Sequence, residues 1–307
     1  MTRPQIFFLT WLLGIASYLP AAIIGTNPPA QPLTSARIAA LPAAQQPAWR
    51  EYLERSTQQR RPDEAFLQKE KQALGIKESF PAPAGKSLKG LTEKHAAAWY
   101  RDPEARRLAD IVLSFQTPAG GWGKNIAFSQ SVRRPGQLFV AEAGWSFVGT
   151  FDNDATTTQL RFLAAVAAAD PATNSPYRQS FQRGLDYIFA AQFPNGGWPQ
   201  VWPLEGGYHD GITYNDGAML QVLELLRDTA AGQDEFAFVS AAARARAAAS
   251  FQRGLDCLLA TQIVVNGRRT VWCQQHDPLT LQPAAARNYE MPAQTSGKSG
   301  DIVLFLM

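Results

Sequence analysis

Cysteine and histidine are scarce in this 307-residue chain: two cysteines, Cys257 and Cys273, and three histidines, His95, His209 and His276. Two cysteines make no disulfide framework and lack zinc-ligand spacing, although an exported chain could pair them. So few histidines argue against a site built mainly of imidazole ligands. Charge is low as well, with 29 basic against 26 acidic residues and a net charge of +3. That excess is too small and too scattered for a nucleic-acid partner, though it is compatible with an acidic small substrate. A phosphate-binding glycine loop, a Ser nucleophile elbow, HExxH and an EF-hand loop are all missing. The mean hydropathy of −0.20 excludes a protein of many membrane spans. What remains is a chain that is 46% hydrophobic and 11% aromatic, long enough to bury a large core.

The N-terminus combines Arg3 with an apolar run from Ile6 to Ile24, followed by small residues near Ala21, Ala22 and Gly25. This reads as a secretory signal peptide over residues 1–25, or as a membrane anchor. Pro20 and the small residues favour cleavage, which leaves no stable membrane insertion and a secreted or periplasmic protein. Residues 26–90 are rich in Ala, Pro and Gln and read as a linker or wrapping N-terminal extension. Within it, Trp49 to Leu74 looks like a surface helix interrupted at Pro62. Residues 91–307 form the remaining domain.

That domain repeats itself weakly. LADIVLSFQTPAGGWGKN (108–125), FQRGLDYIFAAQFPNGGWPQ (181–200) and FQRGLDCLLATQIVVNGRRTVWCQQ (251–275) each place an amphipathic helix before a Gln, a Gly-containing turn and a Trp. The tryptophans Trp122, Trp198 and Trp272 are 76 and 74 residues apart. Leu108, Ile111, Val112 and Phe115 follow helical spacing. A second helix type lies between the units, over Thr156–Asp170 and Asn215–Ala230. Two helices per 75-residue period predict an all-α fold, an (α/α) toroid of helical-hairpin repeats with few short strands.

Two segments stand just before the second-type helices: Asp152-Asn153-Asp154 and Asn215-Asp216. Each could simply cap its helix. Two equivalent helix starts in a toroid would also point into one basin, where collected carboxylates suit a hard cation such as Ca²⁺. A third segment, Thr270–Pro292, holds His276, Asp277, Arg287, Tyr289 and Glu290. Arg287 could face that basin and pair with a substrate carboxylate, or it could pair with Glu290 three residues on. The tryptophans after Gly-Gly could be core anchors or sugar platforms.

Five segments carry a resemblance: GGWGKN (120–125), TFDNDATTTQLRFLA (150–164), FPNGGWPQ (193–200), ITYNDGAM (212–219) and VWCQQHDPLTLQPAAARNYE (271–290). Together they resemble the pectate lyases of polysaccharide lyase family 10, over roughly Trp99 to Met307. The resemblance implies a monomeric enzyme that cuts polygalacturonate by Ca²⁺-assisted anti β-elimination and releases 4,5-unsaturated oligogalacturonides. It places Arg287 as the catalytic base and Asp152, Asn153 and Asp216 at the metal. It gives substrate contacts to Lys124, Asn125, Trp198, Tyr208, His209, Asn215, His276, Asp277 and Tyr289. Two positions depart from the pattern: Asp154 stands where the family usually has Gly, and Gly123 where it often has Pro. The last residues, GDIVLFLM, correspond to a segment that leads into a further helix in the family, so a toroid truncated at its C-terminus is expected. The alternative function is a non-catalytic or degenerate uronate-binding toroid. A terpenoid-cyclase-like toroid lacks its DxDD or zinc set here.

Overall fold

The structure, a computed structural model, describes residues 28–85, 91–92, 94–141, 149–287 and 289–307. The apolar run at 6–24, and the signal peptide or anchor read from it, lie outside the described residues. The described chain is mostly helical. α1 (Ser35–Ala39) starts at Thr34, whose hydroxyl accepts from the Arg37 N–H. α2 (Gln46–Leu74) runs unbroken through Pro62, contrary to the interruption expected there. Interior proline costs a helix about 3 kcal/mol, but burial on both sides of it holds the rod together. Trp49 and Tyr52 pack on Phe193 with ring centroids 5.5 and 4.9 Å away, and Leu67 is buried beyond the proline. The Tyr52 hydroxyl donates to the Ala191 carbonyl at 3.0 Å. The segment expected to link or wrap therefore supplies core.

α3 (Pro103–Ser114), α4 (Thr157–Ala169), α5 (Pro176–Ala191), α6 (Ala218–Ala231) and α7 (Ala241–Ala260) form the body. α4 packs on α5 and α6 on α7. α4 buries residues around most of its circumference, from Gln159 and Leu160 to Val166 and Ala167. α7 buries one stripe, Ala243, Ala247, Ser250, Gly254, Cys257 and Leu258, the three-and-four spacing of a helix covered on one side. Strands are two residues long. β1 (Gly149–Thr150) pairs with β2 (Val201–Trp202), β3 (Ile212–Thr213) with β6 (Gln275–His276), and β4 (Val264–Val265) with β5 (Arg268–Arg269), all antiparallel. α8 (Gly297–Leu306) closes the described chain.

The repeat seen in the sequence is a hydrogen-bonding device. Trp122, Trp198 and Trp272 are fully buried. Each indole N–H donates to a carbonyl of the preceding helix: Val112 at 2.7 Å, Ile188 at 2.9 Å and Leu258 at 2.7 Å. Gln116 donates to the carbonyls of Gly120 and Ser180, and Gln192 to those of Gly196 and Ser250. The hydroxyls of Ser180 and Ser250 donate back to the same two glutamines at 2.8 Å. Each unit's glutamine thus closes its own turn and grips the next unit's helix. Gly120 and Gly196 take φ of 105° and 96°, and an added Cβ would sit 2.6 and 2.0 Å from the carbonyls of Arg183 and Arg253. Only glycine fits both the backbone and the approach. Cys257 and Cys273 are free and buried. Among the described residues no helix is long and apolar enough to cross a membrane.

Candidate active site

Asp152-Asn153-Asp154 and Asn215-Asp216-Gly217 form single 3₁₀ turns just before α4 and α6. No side chain of either segment caps its helix: Thr156 and Gly217 occupy the cap positions, and neither helix start has a side-chain cap bond. The capping alternative is therefore not what these residues do. Their backbones are strained instead. Asn153, Asp154, Thr156 and Asp216 all have φ between 51° and 66°, and Asn125 has 59°. Left-handed non-glycine residues gather where the surrounding structure overdetermines them, often at functional sites.

The two turns touch and form one wall of a cleft of about 220 Å³. Lys124, Asp152, Asn153, Tyr208, Asn215, Asp216 and Arg287 all line it, so most of the expected site is brought together. Asp152 is buried, and its Oδ2 accepts from Lys124 Nζ at 2.8 Å. Its Oδ1 is buried without a hydrogen-bond partner. Asn215 Nδ2 donates to Asp216 Oδ2 at 2.9 Å. The Asp216 carboxyl is pushed above the usual range, first by partial burial and then by the Asp152 carboxylate. Two carboxylates thus face each other across the cleft floor. Lys124 is bonded to one of them, and Lys298 of α8 acts on the other.

Arg287 meets both of its expected alternatives. It lines the cleft with Asp152 and Asp216, and its guanidinium also grips Glu290, with Nε donating to Oε2 at 2.8 Å. That pairing pushes its ionisation further up. The Tyr289 ring is exposed and centred 5.0 Å from the guanidinium carbon. It belongs to an adjoining hollow of about 490 Å³ that shares Gln274 and Glu290 with the cleft. Asn125 lines a larger groove of about 1220 Å³ that shares Asn153 and Asp216 with the cleft, and it accepts from Asn153 Nδ2 at 3.4 Å. The His209 ring lies tilted against the Tyr208 ring, with centroids 3.8 Å apart. Burial, with Lys124 nearby, pulls its imidazole down to about 4, so it is neutral at pH 7.

Three expected substrate residues lie elsewhere. Trp198 is a core anchor, held by its bond to Ile188. His276 is fully buried. Its Nε2 accepts from the Cys273 N–H at 3.2 Å and its Nδ1 bonds the Leu281 carbonyl at 3.0 Å, so both ring nitrogens pin a loop. Asp277 caps the same loop through the N–H groups of Leu279 and Thr280 and pairs with Arg37. These residues hold the segment that carries Arg287 rather than facing the cleft. Sequence reasoning passed over Gln200, Gln274 and Gln275 and named Glu290 only as a possible partner of Arg287; all four line the cleft. Glu290 had a signal, its place three residues beyond Arg287. The glutamines had none.

Beside the Lys124 and Arg287 cations, the cleft presents carboxylate and amide oxygens from Asp152, Asn153, Asn215 and Asp216, a donor set that suits a hard cation. Among the described residues no three His, Cys, Asp or Glu side chains group as a metal site. The bare Asp152 Oδ1 and the mutually repelling pair fit an ion whose remaining ligands come from water and an acidic substrate.

Residues 116–307 match the family model for pectic acid lyase. A family 10 polysaccharide lyase from Cellvibrio cellulosa is 34% identical, with a TM-score of 0.59 over 68% of this chain and 62% of its own. A mutant of family 10 polysaccharide lyase from Cellvibrio cellulosa, in complex with trigalacturonic acid, is 33% identical, with a TM-score of 0.59 over 68% and 63%. The chain spans under two thirds of the length of these solved relatives. No curated protein matches it.

Proposed function

The chain belongs to the pectic acid lyase family, and from that premise we propose that it is a pectate lyase cleaving polygalacturonate by β-elimination to 4,5-unsaturated oligogalacturonides. One observation carries the reading: Asp152, Asp216 and Arg287, from three distant parts of the sequence, line a single cleft. The trigalacturonic acid bound by the Cellvibrio cellulosa mutant supports an oligogalacturonate as substrate. The stacking of repeat units through Gln116 and Gln192, with α4 buried nearly all round and α7 on one stripe, supports an (α/α) toroid. The basic, then apolar N-terminal sequence supports export.

Elimination removes the C5 proton of a uronate. The C–H electron pair becomes the C4=C5 double bond, and the C4–O bond breaks with its pair leaving on oxygen. In this reading Arg287 takes the proton. Its guanidine must be neutral to do so, so activity rises toward alkaline pH. Asp152 and Asp216 would hold Ca²⁺ together with Asn153, and bound Ca²⁺ would stabilise the charge growing on the uronate carboxylate. Lys124 fixes Asp152, and Asn215 fixes Asp216. Tyr208 forms a cleft wall against which a sugar ring can lie.

The test is release of ultraviolet-absorbing product from polygalacturonate, with and without a calcium chelator. Chelator-sensitive product supports the reading, and its absence from a well-folded protein sinks it. The grip of Glu290 on Arg287, which opposes loss of the guanidinium proton, favours a second reading of a uronate-binding protein without turnover. Calcium-dependent binding of trigalacturonate with no unsaturated product would select it.

A further inference from the structure

Glu290 belongs to the same turn as Arg287, and the two are tied by backbone and side chain together. The Glu290 N–H donates to the Arg287 carbonyl at 2.8 Å, and the Ala286 N–H to the Glu290 carbonyl at 3.1 Å. The Glu290 carboxylate accepts the Arg287 backbone N–H at 3.0 Å and Nε–H at 2.8 Å on Oε2, and Nη2–H on Oε1. One whole edge of the guanidinium is therefore spent on a two-point fork, the arrangement with the most directional control available to arginine. Nη1 makes no hydrogen bond among the described residues. The Glu290 side chain is 19% exposed and that of Arg287 is 50% exposed, so the fork is set on the inner side and the arginine remains open to the cleft.

An ordinary surface pair three residues apart would leave both chains mobile and contribute little. This pair differs on two counts. The acceptor also receives the arginine's own backbone N–H, which removes the freedom to swing about the turn. Both partners also line the cleft that holds Asp152 and Asp216, so the arginine is fixed within that cleft's lining.

We propose that Glu290 is a positioning residue that clamps the Nε–Nη2 edge of Arg287 and leaves Nη1 as the nitrogen presented to substrate. The proposal rests on the lyase reading for what Nη1 does there. In that reading Glu290 also serves as counter-charge to the guanidinium once the proton has arrived, as the buried aspartate does for the imidazolium in a Ser-His-Asp triad.

The experiment combines two measurements on the full chain. The first follows exchange of the Arg287 Nε–H by NMR on arginine-labelled protein. It should be slow in the parent and fast in Glu290→Gln and Glu290→Ala, whether or not the protein turns over substrate. The second is kinetics on polygalacturonate. Glu290→Gln keeps the size and one acceptor and should lower kcat about tenfold with KM little changed, as expected when a base loses its orientation. Glu290→Asp keeps the charge but shortens the arm, and should not restore the rate. In an Arg287→Ala background, Glu290→Gln should have no further effect. Unchanged Nε–H exchange, or an unchanged kcat in Glu290→Gln of an active parent, overturns the clamp. An equal further loss in the Arg287→Ala background shows that Glu290 acts elsewhere, and also overturns it. If the parent yields no unsaturated product at all, the lyase reading falls and takes the catalytic role of Glu290 with it, while the exchange measurement still decides whether the clamp exists.

Discussion

The turns that open α4 and α6 have nearly the same backbone and a different order of side chains. Each follows a buried aromatic, Phe151 in one and Tyr214 in the other. Asn153 and Asp216 occupy the same place, both with φ 51°, and Asp154 and Gly217 the next, with φ 61° and 72°. The carboxylate is displaced by one position between them. In the first turn it falls on Asp152, which is buried against Lys124. In the second it falls on Asp216, which is exposed and feels its neighbour's charge. One backbone design therefore yields a fixed carboxylate and an open one. A cation site filled by substrate and ion together needs both, one to define the place and one to respond.

The sharpest way to break that contrast is to remove each carboxylate in turn. Both Asp152→Ala and Asp216→Ala should lower kcat on polygalacturonate about 100-fold or more, the scale of losing one charge-stabilising group. Their stabilities should part. Asp152→Ala removes the carboxylate to which the mostly buried Lys124 ammonium is bonded at 2.8 Å, which costs about 3 kcal/mol and is read as a lowered denaturation midpoint. Asp216→Ala should stay within about 0.5 kcal/mol, as exposed substitutions do. Equal destabilisation by the two would show that the turns are not divided into fixed and open.

A second comparison sets the tryptophan turns against these carboxylate turns. Both recur in the repeat, the tryptophans read as core anchors or sugar platforms and the carboxylates as helix caps or cation ligands, yet only the carboxylate turns reach the cleft. Trp198→Phe should cost about 1 kcal/mol through the lost bond to Ile188, while KM for oligogalacturonate stays unchanged. A raised KM with normal stability would return Trp198 to the substrate.

The helices and their order were legible because apolar periodicity is a local record of burial. The Thr156–Asp170 expectation lands on α4 almost residue for residue. Pro62 was misread because a local cost was outweighed by distant burial of Trp49, Tyr52 and Leu67. At the candidate site, the roles of Asp152, Asp216 and Arg287 came from motif resemblance, since no spacing along the chain brings residues 152 and 287 together. Trp198, His276 and Asp277 were misplaced for the same reason. Their motifs sit beside the site in sequence, but only the fold decides which side of a turn a residue faces. The Gln275 contribution was invisible because a glutamine on a two-residue strand has no pattern of its own, and Gln200, in the bend just before β2, has none either.

A smaller effect tests the charge coupling between the turns. The Asp216 carboxyl is raised by its surroundings, so its folded form favours the proton. Its contribution to stability is favourable at low pH and is lost as pH climbs from the ordinary carboxylate range through the raised value. Asp216→Asn removes that penalty. At pH 7 it should raise stability by on the order of a few tenths of a kcal/mol, the solvent-screened scale for so exposed a group, and the gain should vanish in acid. Thermal melts across pH would show it. A gain that persists in acid would mean that the ionised Asp216 carboxyl is not its source.

The smallest expected effect concerns Asp154, which stands where the second turn has Gly217. At φ 61° an aspartate is tolerated better than most residues but still carries a left-handed cost of about 1 kcal/mol. Asp154→Gly would remove that cost. It would also free the unfolded chain and so give back roughly 0.5–1 kcal/mol. Its carboxylate further accepts a hydrogen bond from Gln221 Nε2, while the Gln221 Oε1 accepts from the Thr157 hydroxyl at 3.0 Å. Losing that exposed bond costs about 0.5–1.5 kcal/mol. Gln221 stands beside both turns, since a Cβ added at Gly217 would meet its Nε2 at 3.0 Å. The opposing contributions leave Asp154→Gly within about 0.5 kcal/mol of the parent, measured by urea denaturation. A loss beyond about 1.5 kcal/mol would show that the Asp154–Gln221 bond, rather than backbone ease, sets the first turn. The two turns would then share a shape but not a cause.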